Sequence, residues 1–488
     1  MRIPGPVERA RNRPTRSPQS DERIMEKLAR YLDPAQAAAE LSAVIKRIGA
    51  AEVAVVRNLD YVYSPVELYP LAPRIAGGLE RVVAYAVDMD GTSTTTEPLA
   101  LHALEYMVRK FTGRMDPAQW PGLDEVKDLP HVIGNSNFRH TEFLLGRYTP
   151  DEAQLRAAFF EALTWTLANL DDPQRRRDAR QNAANCGLSP MLKDAAFLET
   201  VSREIEYDVC AGIVAPFLDK YGAAFTHTSY SALVAAALDI YYARYHCILK
   251  EMEKGRGDEL ARELTKGAAH LVEPMPAYGI FLALIKGWLG EDADRLFEHL
   301  RDVLVGDERA GFSAAEIDTS RPRLSRLARY FERNPAKIAL VTASIAYETH
   351  AVMKEVVRIL RSEARSWPLP ERRKALLDER FADYLAVFDG FVCASDAHEA
   401  RLKPHRDLYS IALYQMSVAK DDYRYCVGLE DTEPGIIALR AAGIGCAVAL
   451  PNRDTHRQNY EMASRIVHGG LPEVILAHNA FLSDEATR

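Results

Sequence analysis

Residues 424–451 read RYCVGLEDTEPGIIALRAAGIGCAVALP. An apolar, β-rich run ends in two acids, Glu430 and Asp431, and a helical pattern, PGIIALRAAG, opens behind them with a proline in its first turn. A second apolar run, GCAVALP, follows at once. Strand, helix and strand in so short a span predict two parallel strands joined by a crossover helix. Acids near a helix N-terminus also suit the helix dipole, so this acid pair by itself reads equally well as helix chemistry.

Three further runs share that character: RVVAYAVDMD at 81–90, KIALVTAS at 337–344 and FDGFVCASD at 388–396. Helical patterns fill the gaps, YETHAVMKEVVRILRSEA at 347–364 and DLYSIALYQMSVAK at 407–420. Alternation of this kind predicts the α/β class, a Rossmann-like parallel sheet covered on both faces. In such sheets ligands bind beyond the carboxyl ends of the strands. Four of the five runs end there in polar residues: Asp88 with Asp90, Thr342 with Ser344, Ser395 with Asp396, and Glu430 with Asp431.

The first and second strands stand roughly 240 residues apart, far more than an ordinary crossover. The intervening sequence reads as helix, for example at 148–170, 229–255 and 276–290. The expected organisation is a disordered Pro/Arg-rich arm at 1–22, an N-terminal extension at 23–80, a core at 81–97 plus 336–488, and a helical insert at 98–335. In the extension, a helical pattern at 25–49 precedes a strand-like stretch at 51–64, and neither carries recognisable chemistry. An extra layer on the core or a contact surface are the two readings of it.

A net charge of -8 argues against broad nucleic-acid affinity, which requires basic excess. The six cysteines are scattered without zinc-ligand spacing, as expected of buried thiols in a reducing compartment. No apolar segment is long and charge-free enough to span a bilayer, and the N-terminus lacks an apolar signal core. The expectation is a cytoplasmic chain that binds neither nucleic acid nor membrane.

In extended chain, side chains two apart share a face, so Asp88 and Asp90 address one group while Met89 turns away. Gly91 permits a tight turn and Thr92 can bond back to the backbone. An acidic loop capping a strand would look the same. If Asp88 and Asp90 meet Glu430 and Asp431 at one sheet edge, however, four carboxylates crowd together, and protons or a hard cation must relieve them. Magnesium suits an oxygen-only donor set. Lys403, in RLKPHRDLY, precedes a proline and is expected on a loop at the same edge, where its ammonium would balance the acids and hold a phosphoryl oxygen. The hydroxyls of Thr342 and Ser344 can donate to phosphate.

These motifs, VDMDGT, KIALVTAS, KPHRDLY and GLEDTEPGIIALRAAGIGCAVALP, resemble those of the haloacid dehalogenase-like superfamily of phosphohydrolases and phosphomutases. The similarity is greatest to its β-phosphoglucomutase-type branch, which carries a helical cap after the first strand. It covers two blocks, 82–97 and 336–450, with some likeness at RQNYEMASRIV. The resemblance implies Asp88 as a nucleophile that becomes an aspartyl-phosphate and Asp90 as general acid and base. It implies Thr342, Ala343, Ser344 and Lys403 around the phosphoryl group, and Mg2+ held by Asp88, Asp90, Glu430 and Asp431. Asp90 argues against the dehalogenase and phosphonatase members, which lack a second aspartate.

After DGT the chain departs from the family, running through Ser93, Thr94, Thr95 and Thr96 to Glu97. Within the insert, LPHVIGNSNFRHTEFLL holds Gly134, Asn135, Asn137, Arg139 and His140 in a turn-prone stretch. By likeness to related caps, Arg139 and His140 are expected to touch the far part of a substrate; a surface loop is the plain alternative. QRRRDAR at 174–180 is expected on a solvated helix face, and YYARYHCI at 241–248 in the insert's core. The function implied is a magnesium-dependent phosphatase acting on a small phosphorylated metabolite. Its rivals are a sugar phosphomutase and a non-catalytic scaffold on the same core.

Overall fold

The computed structural model describes residues 34–58, 63–132, 137–227, 229–264, 269–398 and 401–488. The expected N-terminal arm at 1–22 and Gly134 and Asn135 lie outside the described residues. The chain forms two compact units, 1–49 and 50–488. The described part of the first is a single helix, Pro34–Ile48.

Two strands open the second unit, β1 (Val53–Arg57) and β2 (Val66–Pro70), paired as an antiparallel hairpin. The sequence expectation held a strand at the first of these and none at the second. Six strands then build a wholly parallel sheet: β3 (Ala84–Asp88), β4 (Lys337–Val341), β5 (Gly390–Val392), β6 (Cys426–Glu430), β7 (Cys446–Ala449) and β8 (Arg465–Ile466). Their order is β5-β4-β3-β6-β7-β8. All five runs expected as strands are present, and β8 is an addition too short for sequence periodicity to register.

The period of two divides the strand side chains between two cores. Tyr85, Val87, Ile338, Leu340 and Leu429 face one side, and Ala84, Ala86, Ala339, Val341 and Ala447 the other. Both faces are covered, which is why the strands read as unbroken apolar runs. On the alanine side lie the helices Asp407–Gln415 and Glu433–Ala442. The second starts as the sequence dictates: the Thr432 side chain accepts from Gly435 N, Pro434 occupies the first turn, and Gly443 at φ 108° ends it.

The long excursion between β3 and β4 packs in two ways. The helices Glu97–Thr112, Glu152–Asn169 and Tyr230–Glu251 pack on one another. The helices Tyr278–Ile285 and Arg321–Arg333 instead pack beside the sheet, where the Tyr85 ring meets Phe281 edge-on at 5.2 Å and Phe331 at 6.5 Å. No helix among the described residues is long and apolar enough to cross a membrane.

Candidate active site

Strand order explains how residues far apart in sequence meet. β3 runs between β4 and β6, with Asp88 level with Val341 on one side and Val87 level with Leu429 on the other. The carboxyl end of β3 is therefore flanked by Thr342 and by Glu430. Met89 turns into the core of Tyr85 and Val87, so Asp88 and Asp90 face the opposite way.

Asp88, Glu430 and Asp431 are all buried, and carboxylate oxygens of the three lie within 4.8 Å of one another. Lys403 Nζ donates to Asp88 Oδ1 and to Glu430 Oε1, the latter at 2.7 Å, and lies 5.4 Å from the Tyr409 ring centre. The other Glu430 oxygen accepts from Thr432 N at 2.7 Å and Thr432 Oγ1 at 2.9 Å. Asp431 accepts from Asn452 Nδ2 at 2.9 Å and Thr92 Oγ1 at 3.2 Å. Asp90 accepts from Thr342 Oγ1 at 2.7 Å, Ser344 Oγ at 3.1 Å and Thr96 Oγ1. Hydrogen bonds thus fix every carboxylate in one orientation.

Two glycines make room. Gly91 takes φ 80°, and a Cβ there would collide with the Asp431 carboxylate. A Cβ on Gly435 would strike Glu430.

Three buried carboxylates against one ammonium leave the centre short of positive charge. Burial pushes the Asp88 carboxyl well above the usual range, against the pull of Lys403, with Glu430 and Asp90 adding repulsion. Burial does the same to Asp431, reinforced by Glu430 and Asp88. For Lys403 burial favours the neutral amine, but Asp88 and Glu430 outweigh it and hold the ammonium above its ordinary range. A compact set of buried oxygens that repel one another is a donor set for a hard divalent cation, and the residues present fit magnesium.

A cavity of about 430 Å³ opens from these carboxylates toward the inserted helices. Glu97 lines it, and burial together with Asp90 and Asp454 pushes its carboxyl up to about 8. Glu97, the last of the residues that depart from the family after DGT, opens the helix Glu97–Thr112 beside Thr96, which bonds to Asp90, so its nearness to the site is local. Ala343, Ser344, Ser395 and Lys403 line the near wall.

His140 is buried and lines the same cavity. Arg139 does not; its guanidinium pairs with Glu142 at 2.6 Å on a part-exposed helix face. One expectation for the insert needs correction, at a single residue, since Gln174, Arg177, Asp178 and Arg180 are exposed as expected. Arg175, in the run read as a solvated face, is buried, paired with buried Asp239 and stacked 4.6 Å over the Tyr242 ring. Alanines at 179 and 183 on the same helix show why: that face is apolar, and the charge is buried only because Asp239 comes from another helix. YYARYHCI lies in the core as expected, with Tyr241, Ala243, Tyr245 and Ile248 buried and His246 bonded to Glu348 at 2.8 Å, and Tyr241, Tyr242 and Tyr245 line the cavity as well.

No family model matches the chain. Over 222 residues it is 24% identical to a phosphoglycolate phosphatase of Methanospirillum hungatei JF-1, spanning 44% of this chain and 85% of that one. Among solved structures, CbbY from Rhodobacter sphaeroides in complex with phosphate is 13% identical with a TM-score of 0.37, covering 80% of this chain and 96% of that one. A HAD family hydrolase from Deinococcus radiodurans R1 with bound phosphate and sodium is 12% identical with a TM-score of 0.33, covering 83% and 99%. The convergence of Asp88, Asp90, Thr342, Lys403, Glu430 and Asp431 at one sheet edge carries more than these superpositions do.

Proposed function

We propose that this chain is a member of the haloacid dehalogenase-like superfamily and a magnesium-dependent phosphoric monoester hydrolase acting on a small phosphorylated metabolite. The observation that supports it above all is the contact of Lys403 with Asp88 and Glu430, beside Asp431 and within one turn of Asp90. A strand end designed only to be solvated has no use for buried acids that need an ammonium.

An Asp88 carboxylate oxygen attacks phosphorus as the bond from phosphorus to the ester oxygen breaks, and Asp90 gives its proton to that departing oxygen. Asp90 then takes a proton from water, which attacks the same phosphorus, frees the Asp88 carboxylate and yields inorganic phosphate. Lys403 and the hydroxyls of Thr342 and Ser344 hold the phosphoryl oxygens, with Ala343 beside them. The Thr342 hydroxyl, now on Asp90, is within reach of both roles. Asp88, Asp431, the Asp90 backbone carbonyl and Glu430, directly or through water, would hold magnesium, which would supply positive charge to offset the negative charge of the phosphoryl group.

Residues 98–273 act as the cap that screens this chemistry from bulk water, and the helices of 278–333 belong with the core they pack against. His140 and the tyrosines of the cavity wall meet the part of the substrate beyond the phosphate. A phosphomutase would use the same core residues, transferring the phosphoryl group to a second hydroxyl instead of water. Incubating the protein with a panel of phosphorylated metabolites, with Mg2+ and then with chelator, tests the reading. Phosphate release that chelator abolishes is the expected result; an isomerised ester with no free phosphate moves the assignment to the mutase, and no turnover of any ester overturns it.

A further inference from the structure

The hairpin β1–β2 precedes the sheet and none of its described residues lines the cavity, yet it grips the loop that carries Lys403. On that loop Arg401, Lys403 and His405 alternate: Lys403 points to Asp88 and Glu430, while Arg401 and His405 turn to the hairpin. Arg401 donates through Nε and Nη2 to both oxygens of Asp407, at 2.8 and 3.0 Å, through Nη2 to the Tyr69 hydroxyl at 3.1 Å, and through Nη1 to Glu67. The Tyr69 hydroxyl donates to Glu67 Oε2 at 2.6 Å. Its single proton is thereby committed, so its contact with His405 Nδ1 at 3.0 Å is one it accepts, which fixes the proton on Nδ1.

The hairpin is itself fixed. Val56, Tyr69 and Leu71 form a small core with Ala441, on the helix that starts just after Asp431. From that helix the fully buried Arg440 donates to Ala72 O at 2.7 and 3.0 Å and pairs with Glu52. One element therefore holds both the loop that supplies the ammonium and the helix behind the metal-facing acids.

The geometry points to Glu67 and Tyr69 as positioning residues that set the Lys403 ammonium against the phosphoryl site through Arg401 and His405; this rests on the phosphatase reading above. A lysine side chain is long and flexible, and a displacement of about 1 Å at a reacting centre can cost on the order of a hundredfold in rate. Tyr69→Phe keeps the ring in its apolar core and removes the hydroxyl, and Glu67→Gln keeps the shape and removes the charge.

With para-nitrophenyl phosphate and Mg2+, each variant is expected to lower kcat roughly tenfold with KM little changed. In a Lys403→Ala background the same substitutions are expected to change kcat no further, because the group they position is gone. Equal losses in both backgrounds would overturn the proposal, since a stability effect does not depend on Lys403. A second measurement needs no turnover: acetylation of Lys403 by an N-hydroxysuccinimide ester, followed by mass spectrometry, is expected to run faster in Tyr69→Phe and in Glu67→Gln than in wild type. An unchanged labelling rate in both variants overturns the positioning role. Absence of turnover in wild type overturns the phosphatase reading instead, and the labelling result still decides whether the hairpin places the lysine.

Discussion

Lys403 Nζ lies between Asp88 and Glu430, bonded to both, and the two carboxylates come from adjacent parallel strands. The ammonium therefore holds together the ends of β3 and β6 as well as facing the cavity.

Lys403→Met is expected to lower phosphatase turnover by about a hundredfold or more, the usual consequence of removing a charge aimed at a developing anion. It is also expected to lower the melting temperature in chelator, because the buried acids lose their counter-charge. Steady-state kinetics and thermal scans check both; turnover equal to wild type would remove Lys403 from the chemistry.

Magnesium is expected to raise the melting temperature of the wild type, by an amount equivalent to about 2.7 kcal/mol at a hundredfold excess over Kd. Asp88 and Asp431 hold protons more tightly than ordinary carboxyls, so protons compete with the ion. The Mg2+ concentration giving half of the shift is therefore expected to rise as the pH is lowered. Asp431→Asn should abolish most of the shift. Thermal scans across a magnesium titration at two pH values measure it, and a pH-independent midpoint would count against the carboxylate set.

Glu67 carries a pH-dependent share of stability. Burial pushes its carboxyl up, but hydrogen bonds from Arg401, Tyr69 and Asn58 outweigh that and hold it down at about 2, against an ordinary 4.5. A folded-state value below the unfolded one means the stabilisation is complete above about 4.5 and is lost as the pH falls toward about 2. Glu67→Gln is expected to cost roughly 1–2 kcal/mol near pH 7, allowing for solvent screening, and progressively less below pH 4.5. Urea unfolding at a series of pH values gives the curve; a constant difference would show that the charge is not what matters.

Arg175→Met leaves Asp239 buried with Asn182 as its remaining side-chain partner and is expected to destabilise the protein by about 3–5 kcal/mol. Arg175→Met combined with Asp239→Leu should recover most of that, since a buried ion pair and a packed apolar pair of similar volume differ little. Denaturant midpoints for the two variants test the pairing, and equal losses in both would refute it.

Most of the residues that meet at the sheet edge were legible because their signals are local. Each of Asp88, Thr342, Lys403 and Glu430 follows an apolar run or precedes a proline, and the parallel-sheet rule gathers such ends without any knowledge of strand order. Hidden from the sequence was whatever depends on a partner elsewhere in the chain. Arg175 reads as solvated until Asp239, on another helix, buries it. Tyr69 reads as half of an unremarked strand until His405 and Arg401 arrive from a loop more than three hundred residues later.

The placement of β3 ahead of a long excursion bears on how the protein is made. Its strand neighbours begin at Lys337 and Cys426, so a ribosome adding about 5–20 residues per second leaves Ala84–Asp88 unpaired on both edges for tens of seconds. Throughout that interval the nascent chain carries an unpartnered apolar strand and half of the acid–ammonium cluster, with Asp88 synthesised and Lys403 still to come. Nascent chains arrested before Lys337 are accordingly expected to be protease-sensitive at this strand, and chains arrested after β7 has cleared the exit tunnel to be protected there.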